Sequence, residues 1–306
     1  MKNHLFILGP TASGKHEAAM EIARRLRAEI ISVDSMKVYR GLDIGTAKPS
    51  AIERAEIRHH LVDILDPSQR FTAGAFVEAG ERAEVEISGR GVQPVFSGGT
   101  FLYYKAYAYG LFRGPPPSPE LREELHKLAG ERGPHTLHHE LSSVDPAAAA
   151  RIHPNDLKRL VRALEIHRTS GHPISQLQHQ WPGGPRPGIR AYCLSRPLVS
   201  MDRRIELRVD RMLNEGLVEE ARGIHQAGVQ LNPEIQRAIG YAECFAAIQG
   251  EISLIDARKR MIQRTRRFVR RQLAWARSLA EVELVPLASD APPAEAADRI
   301  MERLRV

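Results

Sequence analysis

The apolar positions of the first hundred residues switch between two periods. Residues 5–8, Leu-Phe-Ile-Leu, form a short unbroken apolar run that stops at Gly9 and Pro10, and residues 15–27 then set Ala19, Ile22, Ala23 and Leu26 at helical spacing. The reading is strand, loop, helix. Residues 29–33 predict a second strand, 79–87 a helix and 92–96 a further strand. Strands separated by helices argue for an α/β fold, a parallel sheet covered on both faces.

The pattern changes at Gly114. Pro115, Pro116 and Pro117 open a stretch that predicts only helices, at 119–131, 137–144, 146–152 and 155–169, the last closed by Gly171 and Pro173. Residues 181–188 hold three prolines and three glycines and predict a linker, after which 189–194 restore a strand signal. The all-helical block, residues 114–188, therefore reads as an insertion into a core made of 1–113 and 189–306. From Arg203 onward the chain predicts helices again, with a surface turn near Asp290 before a last short one.

Charge sharpens one of those helices. Residues 257–280 carry nine Lys or Arg and no Asp or Glu, while Met261, Phe268 and Trp275 recur every seven residues beside Ile262, Val269 and Ala276. The helix has an apolar side for the core and a dense basic side. Solvent-facing helices normally mix signs, so the basic side predicts a polyanionic partner. The whole 306-residue chain agrees, with 44 Lys and Arg against 37 Asp and Glu and a net charge of +7. Its two cysteines, Cys193 and Cys244, are far apart and form no CxxC pair, which argues against a zinc site or a disulfide framework and fits a reducing cytoplasm. No run approaches the roughly 20 apolar residues that span a bilayer. A cytoplasmic monomer is the expectation. His135, His138 and His139, on a polar helix, read as surface histidines rather than metal ligands.

Chemistry enters at the first turn. Gly9, Pro10, Thr11, Ala12, Ser13, Gly14 and Lys15 fit GxxxxGK, between a strand and a helix as a phosphate-binding loop requires. Backbone amides curl around the anion there, and the lysine and the helix N-terminus add positive charge. The loop alone leaves ATP, GTP and other diphosphates open as ligands. The eighth position normally presents a Ser or Thr hydroxyl to Mg²⁺, and this chain has His16. Imidazole is a poor ligand for that hard ion. Either His16 donates to the diphosphate, or the metal is held through water and substrate, or the site is impaired.

Asp34 follows the second strand, where ligands of open α/β sheets bind. Its surroundings, residues 32–49 (SVDSMKVYRGLDIGTAKP), join GPTASGK, DPSQRFTAGAF from Asp66, SGGTFLY from Ser97 and RIHPNDLKRLVRALEI from Arg151. With RVDRMLNEGLVEEA from Arg208, RAIGYAE from Arg237 and RRFVRRQLAW from Arg266, these segments resemble, in order and over nearly the whole chain, the tRNA dimethylallyltransferases. The resemblance implies a P-loop fold that transfers a five-carbon prenyl group from dimethylallyl diphosphate to N6 of the adenosine 3′ of the anticodon in tRNA, with Mg²⁺ as cofactor. An adenine amine is a weak nucleophile and needs a proton acceptor, for which Asp34 is the candidate. The loop, Lys15 and Mg²⁺ would meet the charge on the departing diphosphate. The match assigns Thr100 near the bridging oxygen and Arg208 as a second diphosphate clamp.

For the RNA, an anticodon stem-loop, the same match points to Asp34, Ser35, Met36, Lys37 and Thr100. In the insertion it points to Arg122, Lys158, Arg159, Leu160, Val161 and Arg162. Toward the C-terminus it points to Arg237, Gly240, Tyr241, Arg270, Arg271, Gln272, Trp275 and Arg277. The helical insertion would grip the loop while the basic helix holds phosphates. Lys37 stands where many relatives have Gln, Ala274 where they have Thr and Phe101 where Gly is frequent. A nucleotide kinase of the same fold, a prenyltransferase acting on free AMP or ADP, and a tRNA-binding paralogue impaired by His16 are the competing readings.

Overall fold

The computed structural model describes residues 4–111, 114–177 and 184–304. It forms two compact units, one holding the chain up to 108 and from 185 onward, the other residues 109–184. Both breaks fall a few residues before the expected ones. The helix Phe101–Tyr109 carries the chain out of the first unit before the proline run begins. Residues 181–183 of the expected linker, and 178–180 at the end of the expected helical stretch, lie outside the described residues.

The first unit is built on one sheet of six strands, β1 (His4–Leu8), β2 (Glu29–Val33), β3 (His59–His60), β4 (Pro94–Gly98), β5 (Ile189–Ser195) and β6 (Val282–Pro286). Their order is β3-β2-β4-β1-β5-β6 and every pair is parallel. The alternation of side chains along β1 separates two cores. Leu5 and Ile7 pack with Ala19, Ile22 and Ala23 of the helix Lys15–Leu26 and with Ile300 of the helix Pro293–Leu304. Phe6 points the other way, stacked on Phe96 at 4.4 Å between ring centroids, with Tyr104 edge-on at 5.0 Å. That second face is covered by the helices Ala73–Gly89 and Phe101–Tyr109, which supply the fully buried Phe76 and Tyr107.

Residues 282–286 correct the expectation that the chain from Arg203 onward forms only helices and a surface turn. Only Val282 and Val285 of this strand are buried. Its side chains therefore show no two-residue alternation, and the parallel ladder to β5, Ala191↔Val282 through Ser195↔Pro286, makes it a strand. The expected helix at 146–152 shortens to Pro146–Ala149, because His153 precedes Pro154 and is steered away from helical backbone.

In the second unit the helices Pro119–Arg132, Pro134–Val144 and Leu157–Ser170 enclose a core of Leu125, Leu137, Leu141, Leu160, Leu164 and Ile166. Ser118 and Asp156 cap the first and last of them by accepting the amides of Leu121 and Arg159.

The basic helix runs from Leu254 to Arg277, capped by Ser253, and buries Met261, Ile262, Val269, Leu273 and Ala276. Phe268 and Trp275, expected in that apolar stripe, are only half-buried. Arg271 lies over the Phe268 ring at 5.7 Å, and Lys105 over Trp275 at 5.9 Å.

Candidate active site

The strand order decides where the site is. Placing β4 between β2 and β1 brings three carboxyl ends side by side: Val33–Asp34 after β2, Gly98–Thr100 after β4, and the loop after β1. Gly9 continues the ladder by donating to the Gly98 carbonyl at 3.3 Å, and Thr100 donates its amide to the Val33 carbonyl at 3.2 Å. The strands approach so closely that a Cβ on Gly98 would stand 2.0 Å from the Val33 carbonyl oxygen. At Gly14 the backbone turns into the helix at φ 89°, a conformation that side-chain-bearing residues rarely adopt.

Three side chains brace this loop through its backbone. Arg204 donates to the Ala12 carbonyl at 2.7 Å, and Arg196 to the Ser13 carbonyl at 3.0 Å. Gln272, from the basic helix, accepts the Thr11 amide at 2.9 Å and donates to the Gly99 carbonyl at 2.8 Å. The loop carbonyls are tied outward, and the first amides of the following helix have no intrahelical partner, which leaves them free to hold an anion.

In front of the loop lies a cavity of about 380 Å³ lined by Thr11 to Glu17, Asp34, Lys37, Thr46 to Pro49, Glu53, His59, Ser97, Gly98 and Arg204, Leu207, Arg208 and Arg211. Six Lys or Arg face three Asp or Glu in this lining, so the space suits a multiply charged anion. Crowding shows in the ionisation of its cations. Burial, then the charges of Lys37 and Arg208, bring the Lys15 ammonium down to about 8. Burial lowers Lys37 and Arg208 too, with Asp34 opposing in both. Asp34 spends Oδ1 on its own turn, accepting the amides of Met36 at 2.8 Å and Lys37 at 3.2 Å. Its other oxygen makes no hydrogen bond among the described residues.

Of the four residues matched to catalysis, Lys15, Asp34 and Arg208 meet around this cavity; Thr100 sits one turn away at the head of the helix Phe101–Tyr109 and does not line it. Of the loop residues, Thr11 to His16 line the cavity while Gly9 and Pro10 are buried beneath.

His16 is held by Glu53, Nε2 to Oε1 at 2.9 Å. His59 lies beside it, ring centroids 6.0 Å apart, and burial keeps its imidazole down at about 4. A Mg²⁺ ion favours oxygen ligands, and usually one or two carboxylates, water and the substrate's phosphates hold it. At the eighth loop position this chain offers an imidazole already engaged with Glu53. No group of three or more His, Cys, Asp or Glu side chains among the described residues converges to hold a metal. His16 therefore does not offer Mg²⁺ the hydroxyl oxygen that a phosphate loop usually presents at this position.

The residues matched to RNA divide by exposure. Arg270, Arg271 and Arg277 are exposed and no acidic partner faces them among the described residues. Other arginines of the same helix are paired: Arg258 with Asp210, Arg264 with Glu243, and Arg266 with Asp202 and Glu206. Arg237 is exposed, and its carbonyl accepts from Arg264 at 2.6 Å. Ser35 and Met36 belong to the Asp34 turn. In the helical unit Lys158 and Arg159 are exposed, whereas Arg122 and Arg162 converge on the fully buried carboxylate of Glu165, at 2.8 and 2.6 Å.

Four of the residues matched to RNA have side chains engaged within the protein. Leu160 and Val161 are core residues of the helical unit, and Tyr241 is fully buried with its hydroxyl donating to Glu220 at 2.5 Å. Gln272 is the loop brace described above. Leu160, Val161 and Leu164 stand at helical spacing, which could have placed Leu160 inside, but a buried tyrosine or glutamine carries no such signal. Gly240, also buried, opens the helix Tyr241–Ile248 with φ 101°.

The sequence reading missed Arg204 and Arg211, Arg196, Glu53 and His59. Arg204, Arg208 and Arg211 recur at spacings of four and three along the helix Leu198–Asn214, which puts them on one face. That stripe was legible. Arg196 was not, because its guanidinium donates only to carbonyls, those of Ser13, Ala288, Ser289 and Ala291. The IGTAKP segment also has a structural cause. Glu220 accepts the amides of Asp43, Ile44 and Gly45, and Lys48 is buried against the Tyr39 carbonyl, Asp43 and Asp63.

A parallel sheet whose first strand enters a glycine-bent loop and helix, with cations gathered at the strand ends, defines a P-loop α/β protein. More particularly, the chain belongs to the IPP transferase family, whose model matches residues 37–279, and an isopentenyl transferase model matches residues 1–71. It is 44% identical over 281 residues to a protein of Geobacter metallireducens named tRNA dimethylallyltransferase, covering 91% of this chain and 90% of that one. A protein of the same name from Methylococcus capsulatus is 41% identical over 302 residues, covering 97% and 96%. Among solved structures, the tRNA isopentenylpyrophosphate transferase of Bacillus halodurans superposes with a TM-score of 0.72 at 35% identity, over 100% of this chain and 97% of that one. A eukaryotic dimethylallyltransferase described as acting on tRNA shares the fold, with a TM-score of 0.80 at 24% identity over 99% of this chain and 80% of its own.

Proposed function

We propose that this chain transfers the dimethylallyl group of dimethylallyl diphosphate to N6 of the adenosine 3′ of the anticodon in tRNA, acting as a monomer. The observation that carries the reading is a carboxylate, Asp34, opening on the same cavity as the phosphate loop and its cations. As the adenine nitrogen bonds the allylic carbon, the C–O bond to the diphosphate breaks and its electron pair leaves with the diphosphate. Asp34, through the oxygen its own turn does not use, accepts the N6 proton. The loop amides, Lys15, Lys37, Arg208 and Arg211 receive the growing charge of the leaving group. Thr100 acts from the neighbouring turn, and Arg237, Arg270, Arg271 and Arg277 hold RNA phosphates while Lys158 and Arg159 of the helical unit meet the anticodon loop. The basic face of the helix Leu254–Arg277 favours this reading over a small-molecule kinase or a free-nucleotide prenyltransferase, neither of which needs it.

The test is to incubate the protein with dimethylallyl diphosphate, Mg²⁺ and an anticodon stem-loop carrying the target adenosine, and to look by mass spectrometry for one added prenyl group. RNA binding without addition would refute the transferase. Asp34→Asn keeps the oxygen that caps the turn and removes the base, so transfer should fall by about 10²–10⁴ while RNA affinity holds. Retained transfer in that variant would remove Asp34 from the role.

A further inference from the structure

The eighth loop position holds a group that can change its charge, in a place where a hydroxyl cannot. Glu53 is fixed before it meets His16: its Oε2 accepts the amide and hydroxyl of Ser50, at 2.7 and 2.9 Å, in the capping box of the helix Ala51–Glu56. That leaves Oε1 for His16 Nε2 at 2.9 Å. With Nε2–H donated to Glu53, a neutral imidazole has a bare lone pair at Nδ1, which makes no hydrogen bond to the protein among the described residues. Such a lone pair repels an anion. Protonated, the same nitrogen donates to it, and the carboxylate behind the ring stabilises the cation.

We propose that His16 takes up a proton when a diphosphate enters the cavity, so that its imidazolium, backed by the Glu53 carboxylate, donates Nδ1–H to the anion where phosphate loops otherwise present a hydroxyl to a metal. The inference rests on the reading of the cavity as a diphosphate site.

The groups around His16 support a neutral ring in the empty site and a charged one in the filled site. Burial, then Lys37 on the turn after β2, hold its protonation down, and Glu53 and Glu17 oppose them. His59 beside it stays neutral through burial, with its Nδ1 2.7 Å from the Ile57 carbonyl, while Lys15, Lys48 and Arg208 share the cavity lining. His59 brings no competing charge. An incoming diphosphate offsets the effect of Lys37 and adds its attraction to that of Glu53.

Binding that takes up protons weakens as pH rises, with a slope equal to the number gained. The experiment is isothermal titration with inorganic pyrophosphate in EDTA at pH 7.5, in buffers of different ionisation enthalpy, on the wild type, His16→Gln and Glu53→Gln. Lys15, itself near 8, takes up a fraction of a proton in every variant. The wild type should gain about half a proton or more beyond His16→Gln, and its affinity should fall more steeply between pH 6.5 and 8.5. Glu53→Gln retains a capping-box side chain but loses the anion, so the excess uptake should shrink and move to lower pH. Melting temperature and circular dichroism verify folding of each variant. Equal uptake in wild type and His16→Gln overturns the inference, as does an unaltered Glu53→Gln. Absence of pyrophosphate binding by the wild type sinks the diphosphate reading and this inference with it. His16-dependent uptake without prenyl addition to the stem-loop would sink only the transferase reading.

Discussion

Gln272→Leu tests whether the basic helix is part of the phosphate loop's scaffold. Leucine preserves most of the buried volume and removes both hydrogen bonds, so the Thr11 amide and the Gly99 carbonyl lose their partner together. An unsatisfied buried polar group costs about 1–3 kcal/mol. The Gly99 bond is buried and the Thr11 bond partly so, which brings the sum to about 2–4 kcal/mol once water reaching Thr11 is allowed for. For a unit of this size that loss lowers the melting temperature by about 5–10 °C, read by differential scanning calorimetry. Pyrophosphate affinity should fall with it, because the freed loop must be ordered on binding. Gln272→Glu separates the two bonds: a carboxylate still accepts from Thr11 but meets the Gly99 carbonyl lone pair to lone pair. It also sets a negative charge beside the loop, so it should lose more affinity than the leucine variant. A melting temperature within about 1 °C of wild type for Gln272→Leu, with unchanged pyrophosphate binding, would refute the scaffold argument.

Lys15→Met should abolish measurable pyrophosphate binding and leave the melting temperature unchanged or slightly raised, since it removes a half-buried cation whose one hydrogen bond among the described residues is the 3.3 Å contact to the Pro10 carbonyl. In the wild type the ammonium is charged below about 8 and neutral above it. Its contribution to anion affinity is therefore present at pH 7 and lost as pH rises toward 9, which titrations in His16→Gln isolate. Glu165→Leu leaves Arg122 and Arg162 facing each other without their carboxylate. Both arginines reach water, so the cost is about 2–4 kcal/mol, visible as faster proteolysis within residues 109–184. Arg270→Ala and Arg277→Ala should each lower the slope of log affinity against log salt for tRNA by about one, without altering the fold. An unchanged slope would place those side chains off the RNA.

The sequence by itself determined the parts whose signal is local. A strand, a glycine-bent loop and a helix are written into residues 5–26 by period and by glycine, and the helices of the second unit by their prolines and closing glycine. The charge of the basic helix is visible because residues 257–280 carry nine cations and no acid. The tertiary structure decided what depends on who lies opposite. Residues 282–286 are a strand because β5 offers them a ladder, and their own pattern does not alternate. Gln272 and Tyr241 look like polar residues free for RNA until the loop and Glu220 are brought to them across the chain. Lys15, Asp34 and Arg208 become one site only because the strand order sets β4 between β2 and β1 and the helix Leu198–Asn214 faces their ends. A linear pattern records burial and charge along one element; partnership between elements is fixed by packing, and there the chemistry of this cavity is assembled.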